Sequence, residues 1–236
     1  MKRSVPFFVF LMIAACFVSC AAHRAKPLEE GIRQNKNLRI GVAQARIPEP
    51  SVRIQTTSTA GPGMLRTKIL VRGHREHEDR GIHPQLRAEA RILQRYLRDN
   101  DGEVLKGVQE RFVKALADAG WRTEAIDGPL KEIDPSDPDL KGLDAVVIVD
   151  CDWYGMDCHY TDLNQDFTEA DAGISGRMIG LPSNAVLWQS PHVRIRNPVS
   201  CRCNEPECFP PIDAALEKAV NDAAAAVLED LFNDRP

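Results

Sequence analysis

Three hydrophobic patterns divide the chain after residue 37. The first is a continuous apolar run. Ala145-Val146-Val147-Ile148-Val149 sits between Asp144 and Asp150, and four of the five residues are β-branched. An apolar run of that length with acidic ends reads as a strand covered on both faces, normally by helices. The second pattern is alternation. Leu38 to Ala43 predicts an early strand, and Val52 and Ile54 alternate with Arg53 and Gln55. Trp121 to Ile126 and Asn184 to Gln189 read as further strands, and Val193 and Ile195 against Arg194 and Arg196 predict an edge strand ended by Pro198. Leu65 to Arg72, with Ile69 and Val71 on one face, leaves strand and helix open.

The third pattern has helical period. From Pro84, a residue suited to a first helical turn, Leu86, Ala90, Leu93 and Leu97 share a face, with Ile92 and Tyr96 at its edge. Asn100-Asp101-Gly102 breaks the run. Glu103 to Ala119 then stripes Leu105, Val108, Phe112, Ala115, Leu116 and Ala119, and Gly120 supplies the stop. The last helix follows Pro210 and Pro211 and lines up Ile212, Leu216, Ala219, Ala223, Val227 and Leu231. Two helices between early strands and the strand at 121 form an αβ crossover. The expected fold class is α/β: a mixed sheet packed by helices, a single compact domain with cysteine-rich loops.

Between these elements the chain reads as irregular. Thr56 to Met64, with Gly61-Pro62-Gly63, reads as a mobile loop, and 127–138 as turns before a short helical turn at 139–141. The exit from the central strand, 150–160, is expected to be loop. Thr161 to Asp171, with six acids and amides, suggests loop or exposed helix, and 172–178 fits no single pattern.

The first residues change the picture of where this domain works. Lys2 and Arg3 precede an apolar run from Val5 to Phe17, too short for a comfortable bilayer span. The segment reads as an export signal and resembles a bacterial lipoprotein signal, in which a cysteine after a small-residue box is lipidated. Phe17-Val18-Ser19-Cys20 is the preferred box, with Cys16 after Ile13-Ala14-Ala15 as the alternative. The division is then 1–19 signal peptide, 20–37 tether and 38–236 α/β domain. The expected location is the periplasmic face of a bacterial membrane, lipid-anchored. Removing residues 1–20 takes away two cations and no acid, so the formal net charge moves from -4 to -6. Mild acidity gives no steering toward nucleic acid, which is not expected as a partner.

Candidate chemistry gathers in the second half. Cys151, Cys158, Cys201, Cys203 and Cys208 are the cysteines left after the export segment. An oxidising compartment makes them candidate disulfide cysteines, with the pairing open. Zinc ligation with His159 is a second reading, without ribbon or finger spacing. Redox catalysis is a third, and it lacks a Cys-x-x-Cys motif. His74 to Arg80 crowds histidines and acids, yet its order is not His-Glu-x-x-His, so a solvated mixed-charge surface is preferred to a metal site. No metal or cofactor is expected. Asp152, Trp153, Tyr154, Asp157 and His159 form a candidate ligand or partner surface, against the plain reading of aromatics closing a core beside wet acids. The sequence contains no phosphate-binding loop, dinucleotide fingerprint, nucleophile elbow, zinc-protease motif or kinase set. No catalytic residue is assigned.

The order of elements also resembles the envelope lipoproteins related to the curli-secretion lipoprotein, the penicillin-binding-protein activators and the N-terminal domain of the Tol-system periplasmic protein. The resemblance is carried by a helix running through Gly into a strand at Leu116-Ala117-Asp118-Ala119-Gly120-Trp121. It continues with a strand opening Asp144-Ala145-Val146-Val147 and one closing on Leu187-Trp188. It implies an accessory domain working by protein contact, without cofactor, and transfers no functional residue. The stretch from Pro48 to Ile82 and the cysteine-rich tail depart from that pattern. The expected function is a lipid-anchored envelope adaptor or assembly protein with an envelope protein partner, and homo-oligomerisation is left open. The competing expectation is a small periplasmic hydrolase or ligand-binding protein using loop 150–160.

Overall fold

A computed structural model of the chain describes residues 25–46, 48–58, 65–72, 75–78, 84–100, 102–130, 133–161, 164–200 and 206–233. The lipoprotein-type segment therefore lies outside the described residues, as do Cys201 and Cys203. The strands are β1 (Arg39–Ala43), β2 (Ser51–Ser58), β3 (Leu65–Arg72), β4 (Arg75–Glu78), β5 (Arg122–Ile126), β6 (Ala145–Thr161), β7 (Asn164–Gly180), β8 (Ala185–Gln189) and β9 (Val193–Val199). The helices are α1 (Glu30–Gln34), α2 (Pro84–Asn100), α3 (Gly102–Asp118) and α4 (Phe209–Phe232).

One open, mixed sheet contains all nine strands. Its axis is the antiparallel pair β6 and β7, seventeen residues each. The pair serves two tiers. In the lower tier the start of β6 pairs in parallel with β1, which pairs with β5, and the end of β7 pairs with β8. In the upper tier the second half of β6 pairs in parallel with β2, which continues through β3 to β4, and the first half of β7 pairs with β9. The apolar run at 145–149 is interior sheet, as its composition demands.

Helices cover one face. Helix α2 packs on β2 and β3, α3 on β1 and β5, and α4 on β7 and β9. Leu86, Ala90, Leu93 and Leu97 of α2 point inward as their spacing predicts, whereas Ile92 is 52% exposed. Val108, Phe112 and Leu116 of α3 are fully buried. The alanines of α4 (Ala219, Ala223 and Ala224) are also fully buried, which lets the helix approach the sheet closely. Gly120 ends α3 at φ +95, a conformation that a residue with a Cβ adopts at a cost. The amide of Trp121 then donates to the carbonyl of Leu116 at 3.2 Å. On the other face a smaller cluster, Ala43, Ile126, Leu140, Leu143, Val146 and Ile148, closes only the lower tier, under the 127–144 connection.

Several expectations are corrected. Residues 150–160 are the second half of β6, not a loop, and 164–180 is a single strand, so Thr161 to Asp171 is neither loop nor helix. The acidic composition misleads because one face of these strands carries ion pairs: Asp171 is fully buried and paired with Arg194. Strand β9 runs through Pro198 to Val199, tolerated because among the described strands β9 pairs on one side only, with β7. Among the described residues no cysteine-rich loop is found: Cys151 and Cys158 are strand residues and Cys208 ends a short 3-10 turn. Cys151, a candidate disulfide cysteine from the sequence, is instead a buried free thiol. Cys158 and Cys208 each carry a disulfide bond.

Burial pushes the Cys151 thiol up to about 12, and the charges of Asp152 and Asp150 act in the same direction. Near pH 8 only about one molecule in ten thousand carries the thiolate that alkylating agents need. Peptide mapping after iodoacetamide treatment is expected to find Cys151 unmodified in folded protein and modified in guanidinium. Fast labelling of the native state would contradict this burial.

Residues 26–34 are held against the domain. Lys26 and Gln189 exchange backbone hydrogen bonds at 2.8 and 2.9 Å, Leu28 is 6% exposed, and Ile32 packs on the main core.

Candidate functional site

The upper tier has no helix on its second face among the described residues, and a bulge decides which side chains stand there. In the first part of β6, Ala145, Val147, Val149 and Cys151 point to the helix-covered core. Pairing with β7 slips between Cys151 and Trp153, where Asp152 is the extra residue. The slip inverts the alternation. Beyond it Tyr154, Met156, Cys158 and Tyr160 take the core side. Trp153, Asp157 and His159 are thereby turned to the open face.

Neighbouring strands complete the surface. Arg53 and Gln55 come from β2, Phe167, Glu169 and Asp171 from β7, and Arg194 and Arg196 from β9. Asp157 is 1% exposed: it accepts from Arg53 Nη1 at 3.1 Å and from Gln55 Nε2 at 3.0 Å. Asp171 is fully buried. It accepts from Arg194 Nε at 2.8 and 3.0 Å and again from Arg194 Nη2, and Arg196 Nε stands 3.6 Å away. Arg196 also reaches Glu169 at 3.5 Å. The hydrogen bonds to Asp171 raise the Arg194 pKa above its ordinary value, with burial working against them.

Aromatic groups lie among these pairs. The Trp153 ring is approached by two guanidinium groups, Arg53 at 4.8 Å and Arg194 at 5.2 Å from its centroid. Its backbone stands beside Gly173, where an added Cβ would come within 2.8 Å of His192 and 3.3 Å of the Trp153 Cβ. The His159 ring stacks on Phe167 with centroids 4.0 Å apart, and Phe167 is 48% exposed. His159 Nε2 is 3.5 Å from the Asp157 carboxylate. At the bulge, Asp152 is exposed and contacts His192 Nδ1 at 2.9 Å and the Ser175 hydroxyl at 3.3 Å.

Four of the five sequence candidates, Asp152, Trp153, Asp157 and His159, thus come together on or beside one face. Tyr154 does not: it is 3% exposed on the opposite side of the sheet. The residues that sequence reasoning missed are Arg53, Phe167, Asp171, Arg194 and Arg196. The alternation of Val193 and Ile195 against Arg194 and Arg196 contained the signal, but not the strand they would face.

Chemically, this is a surface of satisfied charges. A general acid or base needs a carboxyl group free to reach a substrate. Both Asp157 oxygens and both Asp171 oxygens are already engaged by donors. The described cavity of about 600 Å³ lies elsewhere, lined by Ser136, Asp137, Lys141, Asp144, Leu181 and Pro182 among others. It includes none of the candidates. Among the described residues, no three His, Cys, Asp or Glu are placed to hold a metal ion. The His74–Arg80 run is described only through the backbone of β4.

No protein-family model matches the chain, and no curated protein sequence matches it. Solved structures resemble it weakly and at low identity. Protein XCC0632 from Xanthomonas campestris is 13% identical with a TM-score of 0.40, covering 89% of this chain and 92% of that one. The lipoprotein GNA1162 from Neisseria meningitidis is 10% identical with a TM-score of 0.38, covering 78% and 99%. The PelC dodecamer from Paraburkholderia phytofirmans is 9% identical with a TM-score of 0.36, covering 88% and 96%. The similarity extends to several distinct bacterial proteins, lipoproteins among them, and singles out no one family.

Proposed function

We propose that the chain is a lipid-anchored adaptor or assembly protein of the bacterial envelope. Its role is to bind another envelope protein through the open upper face of the sheet. One observation carries the reading: a face bare of helices among the described residues, where Arg53 and Arg194 both approach the Trp153 ring and the exposed Phe167 stacks on His159. Aromatic residues and arginine are the types that concentrate binding energy at protein interfaces. The internal ion pairs suit that task, because the face is prearranged and its carboxylates are already paired before a partner arrives. The anchor rests on the Cys20 box, with Cys16 as the alternative.

In-cell crosslinking followed by mass spectrometry tests the adaptor role. Wild-type protein is expected to yield a reproducible envelope partner. Trp153→Ala and Phe167→Ala should each weaken that capture about tenfold or more, as truncation of interface aromatics does, while circular dichroism stays unchanged. Recovery of monomer alone at native abundance would count against the proposal. Radioactive fatty-acid labelling of wild type, Cys20→Ser and Cys16→Ser tests the anchor separately, and an unlabelled wild type would remove it.

A further inference from the structure

We infer that the docked N-terminal segment sets the orientation of the domain on the bilayer. The 181–186 turn and the rim of β8 lie against the lipid headgroups, and the open charged face is held away from them. The inference rests on the proposed lipid anchor at Cys20.

Three observations lead to it. First, the chain leaves the domain at a fixed point. Lys26 forms an antiparallel bridge to Gln189 of β8, its Nζ donates to the carbonyl of Val186 and to Glu29, and Leu28 is buried immediately after it. Only five residues lie between Cys20 and Lys26, six steps that span at most about 20 Å fully extended. A lipid at Cys20 therefore lies close to β8.

Second, the surface at this exit suits a membrane. Leu181-Pro182-Ser183-Asn184-Ala185-Val186 contains no charged residue. Pro182 to Val186 are all exposed, Val186 at 36%. Lys26 beside the turn is paired with Glu29 at 2.8 Å, so the pair adds no net charge to this uncharged surface. The upper face, by contrast, is densely charged: Arg53, Arg194 and Arg196 pair there with Asp157, Asp171 and Glu169.

Third, the molecule is long in the required direction. Sixteen residues of β7 separate Gly180, beside the turn, from Asn164 at the far end, about 50 Å at strand rise. Asp171 lies about 30 Å from Gly180 on the same measure. With its lower end at the bilayer, the domain carries its partner face well above the headgroups.

Site-specific photocrosslinking tests this in the full lipidated chain, reconstituted into vesicles of phosphatidylethanolamine and phosphatidylglycerol. Benzoylphenylalanine replaces Ser183 in the turn or Glu217 on α4. The carbonyl of Ala215 accepts from Asn197 of the upper tier, so Glu217 belongs to the far end. Lipid adducts at 183 are expected to exceed those at 217 about tenfold, since the short anchor raises local concentration at one end only. Lys26→Pro, which removes the amide that bonds Gln189, is expected to erode that contrast. Equal adducts at both positions, more at 217, or an unchanged contrast in Lys26→Pro would overturn the orientation while fatty-acid labelling leaves the anchor standing. An absent fatty-acid label would overturn both and is read on a different signal.

Discussion

Gly155→Ala is expected to prevent the upper tier from assembling. Gly155 pairs with Ser51 at the start of β2, where the two backbones come so close that a Cβ would sit 1.8 Å from the Ser51 carbonyl oxygen and 2.7 Å from its carbon. Both are backbone atoms, so no rotamer change relieves the clash. The alternative is to push β2 away from β6, losing parallel pairing that extends to Thr57 and Thr161 and unpacking Val52 and Ile54 from the core. Overpacking a well-filled interior costs about 1–3 kcal/mol, and a backbone displacement of this extent adds to it, so a loss of about 4 kcal/mol or failure to accumulate is expected. The control is Gly107→Ala on α3, where nothing lies within 4 Å of the new methyl. In a helix interior that change should raise stability by up to about 1 kcal/mol. Urea unfolding of the two variants measures both, and a Gly155→Ala midpoint equal to wild type would contradict the close approach.

Trp188→Ala is expected to be the most damaging truncation in the lower tier. Trp188 is the largest fully buried side chain. Its ring lies over Gly176, so close that a Cβ there would meet it at 2.7 Å, and Val227 of α4 lines the same spot. The indole Nε1 donates to Asp230 at 3.3 Å. Removing the ring leaves a cavity between β7, β8 and α4 and strips Asp230 of one donor, a loss of about 3–5 kcal/mol. In a domain of this size that corresponds to a fall of about 10 °C in Tm. The variant should also loosen β8, and with it the seat of Lys26. Hydrogen exchange at the Gln189 amide, bonded to Lys26, is therefore expected to accelerate more than exchange at Val147. A change in Tm below about 3 °C would mean that this part of the core repacks.

Much of the scaffold was readable from residue pattern. The stripes of α2, α3 and α4 follow from their 3.6-residue spacing, Gly120 marks a stop that its positive φ explains, and the apolar run 145–149 is a strand because both its faces are covered. The second halves of the long strands were not readable in the same way. Polar residues signal loops only when they face water. Asp157 faces a guanidinium group 104 residues away and Asp171 one 23 residues away, contacts that no local window contains. The bulge was hidden for a different reason. Strict alternation from Cys151 would keep Trp153, Asp157 and His159 on its side, and the extra residue Asp152 moves them to the other. The change of phase was present in the order Tyr154, Met156, Cys158, Tyr160, but no rule of composition identifies Asp152 as the residue to skip.

The two-tier sheet has a further consequence. Among the described strands only β6 and β7 belong to both tiers, and α4 braces them along their length, from Asn197 at the far end to Trp188 at the near one. Hairpins such as β2–β3 or the strand β9 could be lengthened, shortened or re-lettered without disturbing the footing beside β8. A design of this kind can keep one mounting and exchange its tool.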